Sequence, residues 1–102
     1  MVTLDPIHLE ILTSPNCPYS PKAIRVAQRA ISKHKGASIF LREVSVATHE
    51  GEEMAEAYEI DSTPTFTING RIAFVGVPAP DTLSDLIKEE LERERFRNSY
   101  FF

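Results

Sequence analysis

The sequence predicts an α/β fold in the order β-α-β-α-β-β-α, a four-stranded mixed sheet with helices on both faces. Three observations predict it. Strand-like runs alternate with stripes of helical period through the first half of the chain. A strand–helix–strand unit there calls for two parallel strands joined by a right-handed crossover. Asn69-Gly70 between two β-prone runs marks a tight antiparallel hairpin, because a type I′ turn needs positive φ at both central residues.

Each element follows in order. Ile7 to Thr13 is rich in β-branched and apolar residues, with Pro6 before it and Ser14-Pro15-Asn16 after it, and reads as a strand. Beyond Pro15, Pro18 and Pro21 the period becomes helical. Ala23, Ile24, Ala27, Ala30 and Ile31 form the apolar stripe, Lys22, Arg25, Arg29, Ser32 and Lys33 the wet face, and Gly36 the expected stop. Ser38 to Val46 reads as a second strand, whose continuous Ile39-Phe40-Leu41 suits cover on both faces. Gly51 to Tyr58 reads as a short helix with Met54, Ala57 and Tyr58 on one side. Thr65 to Ile68 and Arg71 to Val75 are the hairpin strands. Asp81 or Thr82 can cap the last helix, whose core stripe is Leu83, Leu86, Ile87 and Leu91. Its later turns, Glu89 to Arg95, read as a solvated face with a Glu89–Arg93 pair.

Composition narrows the function. The chain has 102 residues, a net charge of −4 and 42% apolar residues, the balance of one globular domain over 1–102 with a core over about 7–95. No long apolar run predicts a membrane span, the N-terminus does not read as a signal peptide, and no basic stripe suits nucleic acid. One cysteine precludes an intramolecular disulfide, and this points to the cytoplasm. The three histidines, at 8, 34 and 49, lack metal-site spacing, so no metal is expected. The aromatic tail over 96–102, ending Tyr100-Phe101-Phe102, is expected to pack on its own chain, on a twin or on a partner, in a monomer or weak homodimer.

The chemistry centres on Cys17, which lies between the first strand and the first helix. Pro18 suits the first helical position. Cys17 then faces unpaired backbone N–H groups and the positive end of the helix, and both favour the thiolate, the species that attacks a disulfide. A buried, inert cysteine is the ordinary alternative, but the turn-rich Ser-Pro-Asn-Cys-Pro-Tyr-Ser-Pro around it is not an apolar setting. Pro21 is expected to disturb the first turn by crowding the Cys17 carbonyl. A second signal is Ser62-Thr63-Pro64-Thr65, where a proline opens a strand directly after a turn.

Cys17-Pro18-Tyr19-Ser20 after a strand, Thr63-Pro64 before a strand and Gly76 after the hairpin resemble the thioredoxin/glutaredoxin superfamily. The likeness is closest to small archaeal thioredoxin-like or glutaredoxin-like proteins, runs from Ile7 to Leu91, and implies the thioredoxin fold. It implies roles residue by residue. Cys17 is the nucleophile. Pro64 is a cis-proline against it. Thr63 offers backbone groups to an extended substrate. Gly76 leaves room in the groove, and Pro18 and Tyr19 tune the loop. Ser20 stands where the resolving cysteine belongs, so the two-cysteine cycle is closed, although its hydroxyl can donate to the Cys17 thiolate. Ile11 replaces the buried acid of thioredoxins, Asn16 replaces the tryptophan, and the glutaredoxin signature for glutathione is incomplete.

The expected function is thiol–disulfide exchange through one cysteine, with an external thiol resolving the adduct. The expected partners are a protein disulfide or mixed disulfide and a resolving thiol or reductase. No cofactor is expected; glutathione or another low-molecular-weight thiol would serve as co-substrate. Two alternatives stand beside this. One is a redox-inactive binding module that keeps the Thr63–Gly76 groove. The other is a two-cysteine CPYC oxidoreductase in which serine has been substituted at 20 to trap mixed disulfides.

Overall fold

The structure is a computed structural model that describes residues 6–100, with side-chain surroundings described through residue 96. The Phe101-Phe102 tail and the Tyr100 side chain lie outside the described residues. The elements are β1 (Ile7–Thr13), α1 (Ser20–Ser32), β2 (Ile39–Ser45), α2 (His49–Ala57), β3 (Thr65–Ile68), β4 (Arg71–Val75) and α3 (Pro80–Tyr100). The sheet order is β2-β1-β3-β4. β1 runs parallel to β2, with Ile7 opposite Ile39 and Thr13 opposite Ser45. It runs antiparallel to β3, with Leu9 opposite Ile68 and Leu12 opposite Thr65. β3 and β4 form the hairpin, with a register shift between Phe66 and Thr67. Asn69 and Gly70 take φ of 49° and 80°, the two positive values the turn demands.

Alternation along β1 sorts the two faces of the sheet. Ile7, Leu9 and Ile11 join Phe66 and Ile68 of β3, Ala23, Val26, Ala27 and Ala30 of α1, and Leu83 and Ile87 of α3 in one buried cluster. β3 is buried at every residue, which makes it the centre of the molecule. The other face buries Leu12 and Val44 at one end and is more polar toward the other. His8 lies against Phe40 with ring centroids 5.6 Å apart. Arg42 hydrogen-bonds Glu10 across the strands and pairs at 2.6 Å with Glu50 of α2. α2 therefore lies on this second face, capped by Thr48, whose hydroxyl accepts from the Gly51 N–H at 3.0 Å. Gly51 sits hard against β2: a Cβ there would lie 1.8 Å from the Ser45 carbonyl oxygen, so only glycine fits.

Several expectations need correction. β2 is an edge strand, and Phe40 is 57% exposed, because α2 covers only the far end of the second face. In α2 the half-buried side belongs to Met54, Ala55 and Tyr58, while Ala57 is exposed. α1 ends at Ser32 with Lys33 as a right-handed cap, so Gly36 lies in the turn beyond and does not stop the helix. α3 opens at Pro80, where the missing N–H costs nothing, rather than behind an Asp81 or Thr82 cap. It also continues through 96–100 as helix. Glu90 and Glu94 are buried, so the last turns are not a uniformly solvated face. Glu90 accepts from Asn69 Nδ2 at 2.9 Å and from Arg71, and Arg93 reaches Glu90 at 3.8 Å. Asp81 instead ties α3 to Lys33 at the end of α1.

Candidate functional site

The loop from Ser14 to Tyr19 carries Cys17 to the end of the sheet where β3 begins. Its turns are tight: Cys17 N–H donates to the Ser14 carbonyl at 3.0 Å and Ser20 N–H to the Cys17 carbonyl at 3.4 Å. The first helical bond of α1 is Ala23 N–H to the Tyr19 carbonyl at 3.0 Å. α1 therefore begins at Ser20, not Pro18, and Tyr19 is its N-cap residue. This corrects two expectations. Pro18 is a turn residue ahead of the helix. Pro21 falls in the first turn, where no intrahelical N–H is needed, so it initiates the helix rather than disturbing it.

The sulfur meets a second segment. The Thr63–Pro64 peptide bond is cis. The Cys17 thiol donates to the Thr63 carbonyl oxygen at 3.6 Å. A third segment closes on the same proline, since Gly76 N–H donates to the Pro64 carbonyl at 2.8 Å. Gly76 holds this bond with φ of 99°, a backbone conformation that a side chain strains. The three segments border a cavity of about 370 Å³ lined by Tyr19, Lys22, Thr63, Pro64, Gly76 and Val77. Tyr19, Thr63, Pro64 and Gly76 line the cavity, and Cys17 joins them through its bond to the Thr63 carbonyl; neither Cys17 nor Pro18 lines the cavity itself. Sequence reading gave no groove role to Lys22, three residues beyond Tyr19 and so on the same side of α1, or to Val77, the neighbour of Gly76.

The electrostatics of the sulfur follow from this geometry. The Ser20 hydroxyl beside the sulfur is the largest influence and holds the Cys17 thiol below its usual range. Partial burial pushes the other way. The Tyr19 and Ser20 N–H groups and the Thr63 side chain lower it further. Ser20 is only 7% exposed, and its oxygen has no hydrogen-bond partner among the described residues. Ionising the sulfur supplies an acceptor for that stranded hydroxyl. The thiol S–H itself is directed at the Thr63 carbonyl.

Other reactive groups are occupied elsewhere. His34 holds Ser84 Oγ at 2.9 Å, and His49 pairs with Glu53 at 2.9 Å. Ile11, in place of an acid behind the cysteine, is fully buried. Among the described residues, no three His, Cys, Asp or Glu side chains gather as a metal site would need. No helix among them is long and apolar enough to cross a membrane.

The sheet order, the helices on its two faces and the cysteine between β1 and α1 define a protein of the thioredoxin fold. A family model described as "Thioredoxin domain" matches residues 7–88. A probable thioredoxin of Methanothermobacter thermautotrophicus is 35% identical over 84% of this chain and 98% of its own length. A thioredoxin of Methanocaldococcus jannaschii is 33% identical over 83% of this chain and 96% of its own. Among solved structures, a protein disulfide oxidoreductase from Aeropyrum pernix is similar over 86% of this chain and 38% of its own, with 32% identity and a TM-score of 0.69. An uncharacterized thioredoxin-like protein from Clostridium perfringens shares the fold alone, at 11% identity and a TM-score of 0.70 over 85% of this chain and 72% of its own. The chain belongs to the thioredoxin domain family, and its general activity is that family's, thiol–disulfide exchange.

Proposed function

We propose that the protein is a thiol–disulfide exchanger that works through Cys17 alone. The observation that carries this reading is the setting of the sulfur: a thiol held below its usual range by Ser20 and bonded to the carbonyl of Thr63, which lines an open cavity with Pro64. The Cys17 thiolate attacks one sulfur of a disulfide R–S–S–R′. A Cys17 Sγ–S–R bond forms, the S–S bond breaks, and R′–S⁻ leaves and takes a proton from water. Ser20 cannot attack this adduct, because a hydroxyl is no substitute for a thiolate. An external thiolate R″–S⁻ attacks the R sulfur, forms R–S–S–R″ and returns Cys17 as thiolate. The protein ends in the state in which it began.

The flanking residues position the substrate. The Thr63 carbonyl accepts a hydrogen bond from the protonated thiol, and is freed for an extended substrate strand once the sulfur is ionised. Tyr19, 60% exposed, gives that strand an aromatic wall, and Gly76 keeps the opposite wall low. The substrate is a protein disulfide or a mixed disulfide, and the resolving thiol is a small thiol or a reductase. The test is a thiol-transfer assay on a small mixed disulfide, parent against Cys17→Ala. The expected result is turnover in the parent and the uncatalysed rate in the variant. Equal rates would leave the cavity as a binding groove without chemistry.

A further inference from the structure

The cavity beside Thr63–Pro64 shares Lys22 and Val77 with a larger groove of about 880 Å³ that runs along α1. One wall carries Lys22, Arg25 and Arg29, and the other is the 77–80 segment. No carboxylate lines the groove. Among the described residues, none of the three cations forms an ion pair, although the chain as a whole carries a net charge of −4. Positions 22, 25 and 29 lie on one side of a helix whose other side, Ala23, Val26, Ala27 and Ala30, is buried in the core. Three cations in a row, left unmatched on an acidic protein, are charge held for something that arrives.

We propose that this groove docks an acidic, extended segment of the protein substrate, next to the cysteine whose disulfide Cys17 attacks. The inference rests on the exchange reading above and names its substrate class. Seven residues of helix separate Lys22 from Arg29, roughly 10 Å of axis, the span of about three extended residues. Charges strung along a line fit successive carboxylates better than one compact phosphate, which asks for donors converging on a point. The facing wall suits a polypeptide too. Pro78 and Pro80 remove two N–H donors from it, so it offers apolar contact to the backbone and stems of the segment while α1 reads the charge.

Binding and chemistry are tested separately on the full chain. Backbone amide NMR is followed while titrating a capped, cysteine-free hexapeptide of alternating aspartate and glutamate, its asparagine and glutamine equivalent, and pyrophosphate. The acidic peptide is expected to shift amides of 22–32, Val77 and Ala79, to lose its effect at high salt and in Arg25→Ala/Arg29→Ala, and to keep it in Arg25→Lys/Arg29→Lys. Equal shifts from the neutral peptide, shifts elsewhere, or tighter binding of pyrophosphate at the same amides would overturn the proposal. In parallel, Cys17 is offered cysteine disulfides of the two peptides and a small neutral aromatic disulfide. The acidic peptide is expected to react about tenfold faster than the neutral one at low salt. Equal rates for the two, with Cys17 active on the aromatic disulfide, would overturn the docking and leave the exchange reading intact. Docking seen by NMR with no reaction on any disulfide would do the opposite.

Discussion

At the hairpin end of β3, Glu90 is 5% exposed, and its oxygens accept from Asn69 at 2.9 Å and from Arg71. At the other end, beyond Pro64, Ser20 is 7% exposed and its hydroxyl has no conventional partner. Both bury a polar side chain, and burial is costly unless hydrogen bonds replace water. The hairpin end meets that cost with donors fixed in the fold, and the result is structure. The Cys17 end leaves it unmet until the sulfur loses its proton, and the result is a thiol disposed to ionise. The same physics, with and without a ready partner, separates a brace from a reactive site.

The contrast can be broken from the structural side first. Glu90→Ala removes both acceptors from Asn69 and Arg71 and is expected to cost about 2 kcal/mol, lowering the thermal midpoint by roughly 10 °C. The rate of disulfide exchange below that midpoint should not change. A slowed rate in the folded variant would mean that the two ends are coupled. Gly76→Ala sharpens the other end. A Cβ there meets nothing within 4 Å, so the cost is backbone strain alone at φ of 99°, about 1–2 kcal/mol. Because Gly76 N–H holds Pro64, exchange should slow together with stability. Denaturant unfolding and exchange kinetics on one preparation measure both. Ser20→Ala is expected to leave stability nearly unchanged, since it deletes a stranded hydroxyl rather than a hydrogen bond. Its effect belongs to the sulfur.

How much of this was legible in the sequence depended on whether the cause is local. The Asn69-Gly70 turn was readable because its dihedrals are set by the two residues in it. The fold class and the placement of Cys17 between β1 and α1 were readable for the same reason, from periodicity and punctuation. The start of α1 was missed by two residues. Three prolines compete to open that helix, and only the backbone bond from Ser20 to Cys17 shows that Pro21 wins. Phe40 was read as covered and is exposed, because cover depends on how far α2 reaches along the sheet. Glu90 was read as solvated, because its donors lie 19 and 21 residues away along the chain. The row of Lys22, Arg25 and Arg29 was read as a wet helix face, with Lys22 and Arg25 at most adding positive potential near Cys17. What made it a groove was the facing 77–80 segment, brought there by the hairpin.

The most direct measurement is the pH dependence of Cys17 alkylation in the parent and in Ser20→Ala. The folded thiol is depressed, so its ionisation stabilises the native state above the ordinary thiol range, and that contribution is lost as pH falls through the depressed value. The parent should therefore react with a midpoint below about 8.5, and Ser20→Ala should move the midpoint upward, slowing alkylation at neutral pH while the protein stays folded. A parent midpoint at or above that value, or one that Ser20→Ala leaves in place, would contradict the claim that Ser20 activates the sulfur.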